Sequence, residues 1–428
     1  MADEYYGYVG TLLKVNLTDM TVEKIPTNTY DTDKWIGGRG LGSIIQWTEC
    51  PTTAGALDPE NVLTFLTGSL TGTMLDGGRT FVQAVSPAGY PDTGSFARSS
   101  FGSSFAPEMK FAGYDGIIFM GKAPYPVYFY INDDIAEIRD ARDLWGMDNF
   151  AVQNELYRRS GNKAKIASIG PAGEHMSMFS TILSDESSAT GMGSFGAVMG
   201  SKNLKAISIQ GTGSVKVADP QGLLDLVEYT QNLCCRKLYE TTPEAPANSY
   251  VGSWQASLPL TDTDLYKEAR DPEGKLEIAY TGCYSCPWGG CGYGVRFKDG
   301  SGMSLGQLRC TEAIPVSAES AACGEYVGRA HMKRLTLNER LGLSDCNTWF
   351  QGLDPIFQAG NILTEENTGI DWTNFGTEDF TRELMYSVAY QSTEVGAAIA
   401  KGWRYFLEEY IGTPEAKYFY RAIRGIRN

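Results

Sequence analysis

Basic charge is scarce in this chain. Its 428 residues hold 36 Lys and Arg against 51 Asp and Glu, a net charge of −15, and no basic cluster stands out. Phosphate neutralisation needs Lys and Arg on one face, so nucleic acid is not expected as a partner. No apolar run reaches the roughly 18 residues of a membrane span, so the protein is not expected to be integral to a membrane. The opening MADEYYGYVG lacks the charged and apolar regions of a secretory signal, and the chain reads as cytoplasmic. No stretch has Rossmann or P-loop spacing, and there is no internal repeat or low-complexity segment. Histidine is nearly missing: only His175 and His331 are present.

Cysteine is present in quantity, nine in all. In a cytosolic chain that points to metal or redox use rather than a disulfide framework. Cys50, Cys234 and Cys235 read as packed thiols. The informative stretch is CYSCPWGGCG, which places Cys283, Cys286 and Cys291 within nine residues. Glycines and a proline among them let the backbone wrap an inorganic centre. Thiolates at this spacing suit an iron–sulfur cluster or a zinc ion, because soft ligands select soft metals. Zinc would want a fourth Cys or His at short spacing, and neither histidine is near. A [4Fe–4S] cluster takes four thiolates; Cys323 or Cys346 could supply the fourth, or a ligand beyond this chain.

With 42% hydrophobic residues a sizeable core is available, and the length suggests two or three domains. Residues 1–210 read mainly as strands. Leu12 to Leu17, a turn at Thr18 and Asp19, and Val22 to Ile25 form a hairpin pattern. Residues 62–66, 80–85, 116–120, 127–131 and 166–169 are further short apolar runs. Residues 149–159 are a helix candidate with Leu156 and Tyr157 on its apolar side. Near residue 215 the texture changes: Asp219 and Pro220 make an N-cap followed by proline at the first helical position. Residues 221–233, 318–343, 379–391 and 393–410 read as helices. The expected fold class is α+β, with a β-rich domain over residues 1–212 and a mostly helical domain over 213–428 that carries the cysteine run.

Four loops share a glycine design: WIGGRGLG (35–42), LDGGRT (75–80), SSFGSS (99–104) and GMGSFG (191–196). Glycine lets consecutive backbone N–H groups point one way, and such nests bind phosphate. Arg39 and Arg79 add forked donors for a phosphate or a fused heterocycle. One such loop alone more often serves a turn; four in one domain point to a large phosphorylated cofactor.

The segments GYVGTLLKVNLT, WIGGRGLG, FAPEMKFAGYDGIIFMGKA, FGAVMGSKNLKAI and CYSCPWGGCG resemble, in order and spacing, the tungsten-dependent aldehyde ferredoxin oxidoreductases. Within that family, VYFYINDDIAEIRDA and LRCTEAIP look closest to the catalytic subunit of the ATP-independent (class II) benzoyl-CoA reductases. The resemblance implies tungsten, or molybdenum, held between two pyranopterins, with a bridging Mg²⁺ and one [4Fe–4S] cluster beside a pterin. By the same resemblance Arg79 contacts a pterin. Ser100 and Gly102, and Gly191, Gly193, Gly196 and Ala197, belong to loops that approach the pterin phosphates and the Mg²⁺. Asp345 is the pterin-binding acid of the helical domain, shifted by one residue. Cys283, Cys286 and Cys291 match cluster ligands, and Cys310 matches the tungsten-ligating cysteine of the benzoyl-CoA reductase branch. The implied partners are a small-molecule substrate (an acyl-CoA or an aldehyde) and a ferredoxin or iron–sulfur electron-transfer subunit.

The sequence also departs from the family. The cysteine run is C-x2-C-x4-C where C-x2-C-x3-C is usual, and Gly191-Met192-Gly193-Ser194 stands where the family has GRGG. Residues 240–282 hold no histidine, whereas the benzoyl-CoA reductase branch has one before its cysteine run. Family chains continue well past residue 428, into a part that carries the fourth cluster cysteine.

For proton transfer the candidate is Glu312, two residues after Cys310; a carboxylic acid buried beside a metal has a raised pKa and serves as acid or base. The competing reading is an ordinary surface glutamate. The leading expectation is therefore low-potential reduction of an aromatic acyl-CoA; the alternatives are oxidation of an aldehyde to a carboxylate with two electrons passed to ferredoxin, and a split or inactive fragment of the family.

Overall fold

The structure is a computed structural model that describes residues 5–75, 78–88, 94–185, 188–232, 273–281, 283–286, 292–297, 304–309 and 329–423. Its N-terminal part holds two mixed six-stranded sheets and its C-terminal part is mostly helical, so the α+β class expected from the sequence is found.

The first sheet comprises β1 (Thr11–Asn16), β2 (Thr21–Pro26), β3 (Leu63–Leu66), β4 (Thr80–Ser86), β5 (Ser95–Phe101) and β6 (Gly116–Met120), in the order β2-β1-β6-β3-β4-β5. The expected hairpin is β1–β2, with Leu12 opposite Ile25 and Val15 opposite Val22. The second sheet comprises β7 (Val127–Asn132), β8 (Ile135–Asp140), β9 (Lys165–Ile169), β10 (Ile182–Ser184), β11 (Ser188–Ala189) and β12 (Leu204–Gln210), in the order β11-β10-β9-β12-β7-β8. Each sheet has one parallel pair, β1 with β6 and β7 with β12; the other pairs are antiparallel.

Alternation along the strands sets the layers, because successive side chains point to opposite faces. In β1, Leu13 and Val15 enter a central core while Leu12 enters an outer one. In β7, Val127, Phe129 and Ile131 join the central core, and Tyr128 and Tyr130 pack behind it. The central core lies between the sheets and includes α2 (Phe105–Phe111) and α5 (Phe195–Ser201). Helix α1 (Gly37–Glu49) covers the outer face of the first sheet with Leu41 and Ile45. Helix α3 (Asn149–Ser160) covers that of the second with Val152 and Leu156. Both sheets are thus apolar on both faces, as covered sheets require.

The most specific sequence motifs do structural work here. In FAPEMKFAGYD, Lys110 and Asp115 form a buried ion pair at 3.5 Å. Asp115 also accepts from the backbone of Val9 and Gly10 and from the Thr27 hydroxyl, which ties the N-terminal segment to the sheet. Glu108 accepts from the Gly211 N–H at 2.9 Å, just past β12 (Leu204–Gln210). In MGSKNLKA, Lys205 pairs with Glu174, while Lys202 donates to the carbonyls of Pro59 (2.9 Å) and Gly121 (3.2 Å).

Downstream, α4 (Pro171–Glu174) leads into a joint between the two parts. Thr181 N–H donates to Gly342 O, and Ser344 N–H to Phe179 O, both at 2.8 Å. Ala172 and Phe179 extend into the helical core. Helix α6 (Pro220–Gln231) has the expected cap: the Asp219 carboxylate accepts from Gly222 N–H, with proline in the first turn.

Two expectations change in the helical part. Residues 393–410 do not form one helix. A helix over Glu394–Ala400 stops at Gly402, whose φ of +98° leaves the right-handed helix, and a π-helical stretch follows over Tyr405–Ile411. Only a glycine takes that φ without penalty. The helix expected over 318–343 is described as Arg329–Leu341; residues 311–328 lie outside the described residues. The helix over Glu378–Tyr390 agrees with the 379–391 reading. The second part also holds a three-stranded antiparallel sheet that the sequence reading did not foresee: β13 (Leu276–Thr281), β14 (Gly292–Phe297) and β15 (Ser304–Arg309).

Burial pulls the Lys202 ammonium down from the ordinary lysine value of 10.5 to about 8. Between those two values the folded chain binds fewer protons than the unfolded chain, so this lysine's contribution to stability rises with pH across that window. The stability of wild type relative to Lys202→Met should therefore increase from pH 8 to pH 10, by up to roughly 3 kcal/mol at 1.36 kcal/mol per pH unit. Denaturant unfolding of both proteins at several pH values checks this; a difference independent of pH would refute it.

Candidate functional site

The cysteine run connects β13 to β14. Thr281, the last residue of β13, pairs with Gly292, the first of β14, and Gly292 pairs on its other side with Arg309, the last of β15. One row across this small sheet therefore ends two residues before Cys283, one residue after Cys291 and one residue before Cys310. Neighbouring strands lie about 4.8 Å apart, so the chain leaves for all three cysteines at one end of one sheet. Cys291, Cys310 and Glu312 themselves lie outside the described residues, as does Cys323.

Cys283 to Cys286 form a tight turn. Cys286 N–H donates to Cys283 O at 3.2 Å, and Ser285 takes a positive φ of 47°. Both cysteines are half-buried, and neither is in a disulfide. The turn lies against the end of the β4–β5 ladder, where Thr80 pairs with Phe101. Tyr284 N–H donates to Ser103 O at 3.2 Å, and the Tyr284 ring meets Phe111 edge-on at 5.9 Å. A side chain at Gly78 would press on the Tyr284 backbone at 3.2–3.3 Å, and one at Gly102 would lie 2.3 Å from Cys283 Sγ. Ser103, at φ +82°, is held by its hydroxyl, which pairs with Ser184 Oγ and accepts from Phe105 N–H, each at 3.1 Å. Gly102 N–H donates to Ser188 Oγ at 3.1 Å. Strands β5, β10 and β11 therefore converge under the cysteine turn.

The four glycine loops separate into different jobs. Gly37 and Gly38, at φ +35° and +42°, let α1 settle on the first sheet: a side chain at Gly38 would strike the Phe81 ring at 2.8 Å. Arg39 is exposed, with its guanidinium 5.6 Å above that ring. Arg79, exposed, follows Gly78, and Ser100, half-buried, stands opposite Phe81 on β5. In the fourth loop Gly191 and Met192 are exposed, and Gly193 takes φ +101°. Its backbone is pinned: Ser86 Oγ donates to Gly193 O at 2.7 Å, and Asn347 Nδ2 donates to Gly191 O at 3.2 Å from the helical part. Gly196 and Ala197 are buried in α5. A side chain at Gly196 would meet Thr181 O at 2.7 Å, and the Ala197 N–H is already donated to Ser194 O at 3.0 Å.

Asp345 lies under the helix Arg329–Leu341, inside a buried network. Its carboxylate accepts from Arg334 Nε at 3.1 Å and from Asn338 Nδ2 at 2.5 Å, and the Arg334 guanidinium lies 5.0 Å from the Trp349 ring centre. The pair is nearly dry, each side chain only 3% exposed. Cys346, half-buried, opens the π-helix Cys346–Leu353. His175 is exposed, with Nδ1 2.9 Å from Pro171 O and its ring beside Tyr390. Among the described residues, no three His, Cys, Asp or Glu side chains gather into a metal-binding group.

Sequence reasoning placed Gly78 and Ser103 only within phosphate-binding loops and left Ser188 and Asn347 without roles at this site. Gly78 had a signal, the second glycine beside Arg79. The other three act through backbone neighbours distant in sequence, for which a single sequence carries no mark.

Set beside known proteins, residues 12–211 match the family described as aldehyde ferredoxin oxidoreductase, N-terminal domain. The chain belongs to the aldehyde ferredoxin oxidoreductase family. Similar curated relatives include the tungsten-containing aldehyde ferredoxin oxidoreductase of Pyrococcus furiosus, 43% identical over 96% of this chain and 68% of that protein. The Pyrococcus abyssi protein of the same description is 43% identical over 84% of this chain and 58% of its own length. An aliphatic sulfonate oxidoreductase, WOR-like subunit, of P. furiosus is 30% identical over 93% of this chain and 66% of its length. Among solved structures, the active site complex BamBC of benzoyl coenzyme A reductase in complex with 1,5-dienoyl-CoA has a chain that superposes with a TM-score of 0.77 at 26% identity. The match covers 97% of this chain and 65% of that one. The chain thus spans roughly three-fifths to two-thirds of the relatives it matches. No helix among the described residues is long and apolar enough to cross a membrane.

Removing one partner of a dry ion pair leaves an uncompensated charge, which costs about 3–5 kcal/mol. Asp345→Ala should destabilise the helical part by about that much, and Arg334→Met combined with Asp345→Leu should recover most of the loss. Urea unfolding followed by tryptophan fluorescence checks both; equal loss in the single and double variants would contradict the pair's role.

Proposed function

We propose that this chain forms the pterin- and cluster-binding part of a tungsten oxidoreductase acting on a small carbonyl compound in the cytoplasm. The observation that supports the reading is the strand row Thr281–Gly292–Arg309, whose ends adjoin Cys283, Cys291 and Cys310 in sequence, together with the Cys283–Cys286 turn, which lies against the glycine-bearing end of β4–β5.

The residues present suit the implied groups. Two cysteines outside any disulfide, in a tight turn over glycines that offer no side chain, match what a soft, bulky iron–sulfur centre needs. Arg79 and the backbone at Ser100 are accessible for a pterin. The exposed Gly191 and Met192 leave open space: a side chain at Gly191 would meet nothing within 4 Å. There the backbone would face the pterin phosphates and their Mg²⁺, with Met192 in place of the family's arginine. Gly196 and Ala197 would support that loop from beneath, and Asp345 would act through Arg334 and Asn338. When bound, tungsten on two pyranopterins would supply two-electron redox chemistry, and a [4Fe–4S] cluster would pass electrons singly. The protein's own part is to hold these groups in register, to keep water from the cluster, and to move a proton, for which Glu312 is our candidate. A ferredoxin or an iron–sulfur subunit would exchange the electrons.

Aldehyde oxidation to the carboxylate is the substrate reading we favour, since the relatives at 43% identity carry that description. Reduction of an aromatic acyl-CoA is the second reading; Cys310 and the likeness to the benzoyl-CoA reductase chain favour it.

Two experiments decide. Metal analysis of the anaerobically purified chain, alone and with candidate partner chains, should find tungsten and about four irons per chain, the content of one cluster. Absence of both metals from every combination would end this proposal in favour of an inactive fragment. Cys310→Ser should abolish tungsten binding if the chain reduces acyl-CoA through a thiolate-ligated metal. It should leave tungsten content and aldehyde-dependent dye reduction near wild type if the chain oxidises aldehydes.

A further inference from the structure

Gly102 has no conformational reason to be glycine. Its φ lies outside the left-handed region, and the same holds for Gly78. Gly102 is buried, at the exit of β5, and its N–H is donated to Ser188 Oγ. What requires it is the atom above it. A Cβ built at residue 102 would lie 2.3 Å from Cys283 Sγ and 3.1 Å from Ser188 Oγ. Gly78 is required by backbone instead: its Cβ would lie 3.1 Å from Ser103 O, 3.2 Å from Tyr284 O and 3.3 Å from Tyr284 N. The two glycines flank the Thr80–Phe101 pair at the end of one ladder. Together with the Ser103 carbonyl, which takes the Tyr284 N–H, they make a floor without side chains under the Cys283–Cys286 turn.

We propose that Gly78 and Gly102 form a seat that fixes the iron–sulfur cluster, with Gly102 acting on the Cys283 sulfur and Gly78 on the turn's backbone. The assignment rests on the proposed function, because it takes Cys283 as a cluster ligand. It moves Gly102 from the pterin phosphates, where the resemblance would place it, to the cluster. Gly102 is a positioning residue and touches no substrate.

The geometry separates this role from a purely structural one. A free thiol is the end of a side chain with one χ angle, so in the metal-free protein Cys283 Sγ can rotate away from a methyl group at residue 102. A thiolate bonded to iron cannot. Gly102→Ala should therefore spare the metal-free fold and specifically impair the cluster. Gly78→Ala presses on backbone that has no such freedom, so it should disturb the turn with or without metal.

The test uses the full chain, reconstituted anaerobically with ferrous iron and sulfide. Iron and sulfide per chain, the EPR spectrum of the dithionite-reduced protein, and the melting temperature of the metal-free protein are measured. Variants are Gly102→Ala, Gly78→Ala, Cys283→Ala, the Gly102→Ala/Cys283→Ala double, and Gly68→Ala as a control whose Cβ would meet only Thr71 Oγ1, at 3.5 Å. Loss of a supporting contact weakens a metal site by about 10–100-fold, so Gly102→Ala should lose iron under chelator challenge at least about tenfold faster than wild type, or show shifted g values. Its metal-free melting temperature should match wild type, and the double variant should be no worse than Cys283→Ala alone. Wild-type iron retention and an unshifted spectrum in Gly102→Ala would overturn the seat while leaving the cluster intact. A wild-type chain that takes up no cluster would remove the functional reading and the seat with it.

Discussion

Two sheets buried on both faces are the constraint from which the rest follows. Leu12 and Leu13, neighbours in one strand, serve different cores, as do Tyr128 and Phe129. Once α1, α3 and the central layer cover those faces, the strand ends and the loops between them are what remains for binding. Apolar burial is worth about 25 cal/mol per Å², so the layered core is expensive to open, and chemistry is confined to its rim. The candidate site lies there: at the end of β4–β5, at the loop into α5, and where the helical part meets both.

At that rim, glycine is used by subtraction. Gly38 removes a side chain so that a helix can meet Phe81, and Gly196 does so to let α5 approach Thr181. Gly78 and Gly102 do so to admit the cysteine turn. The similar-looking loops thus differ in function: the first allows packing inside the domain, the second and third seat another part of the chain, and the fourth packs at Gly196 and leaves space open at Gly191. The buried ion pairs act as braces. Lys110 with Asp115 anchors the N-terminal segment, Lys205 with Glu174 secures the second sheet, and Arg334 with Asp345 fixes the helical part near the site.

Much of this was legible in the sequence wherever the signal is local. The β1–β2 hairpin follows from alternation around a polar turn, and α6 begins at its Asp-Pro cap. The break after Ala400 was missed because helical periodicity persists on both sides of Gly402, and a single glycine in such a pattern is often tolerated. The small sheet was missed because β13, β14 and β15 are short runs whose partners are one another, with the cysteine run inserted between two of them. The motif FAPEMKFAGYD was recognisable as specific, yet its charged residues Glu108, Lys110 and Asp115 gave no hint that their partners would be Gly211, Gly7 and Val9.

The amino-acid sequence by itself determined the α+β class and the family, since residue type and spacing are enough to specify strand alternation, helix caps and family motifs. Only the tertiary structure decided which glycine stands beneath which sulfur and which acid is spent in a buried pair. Those facts depend on contacts between residues up to about two hundred positions apart, such as Gly102 with Cys283 and Asn347 with Gly191. A close approach is a property of two backbones at once, so neither segment alone contains it.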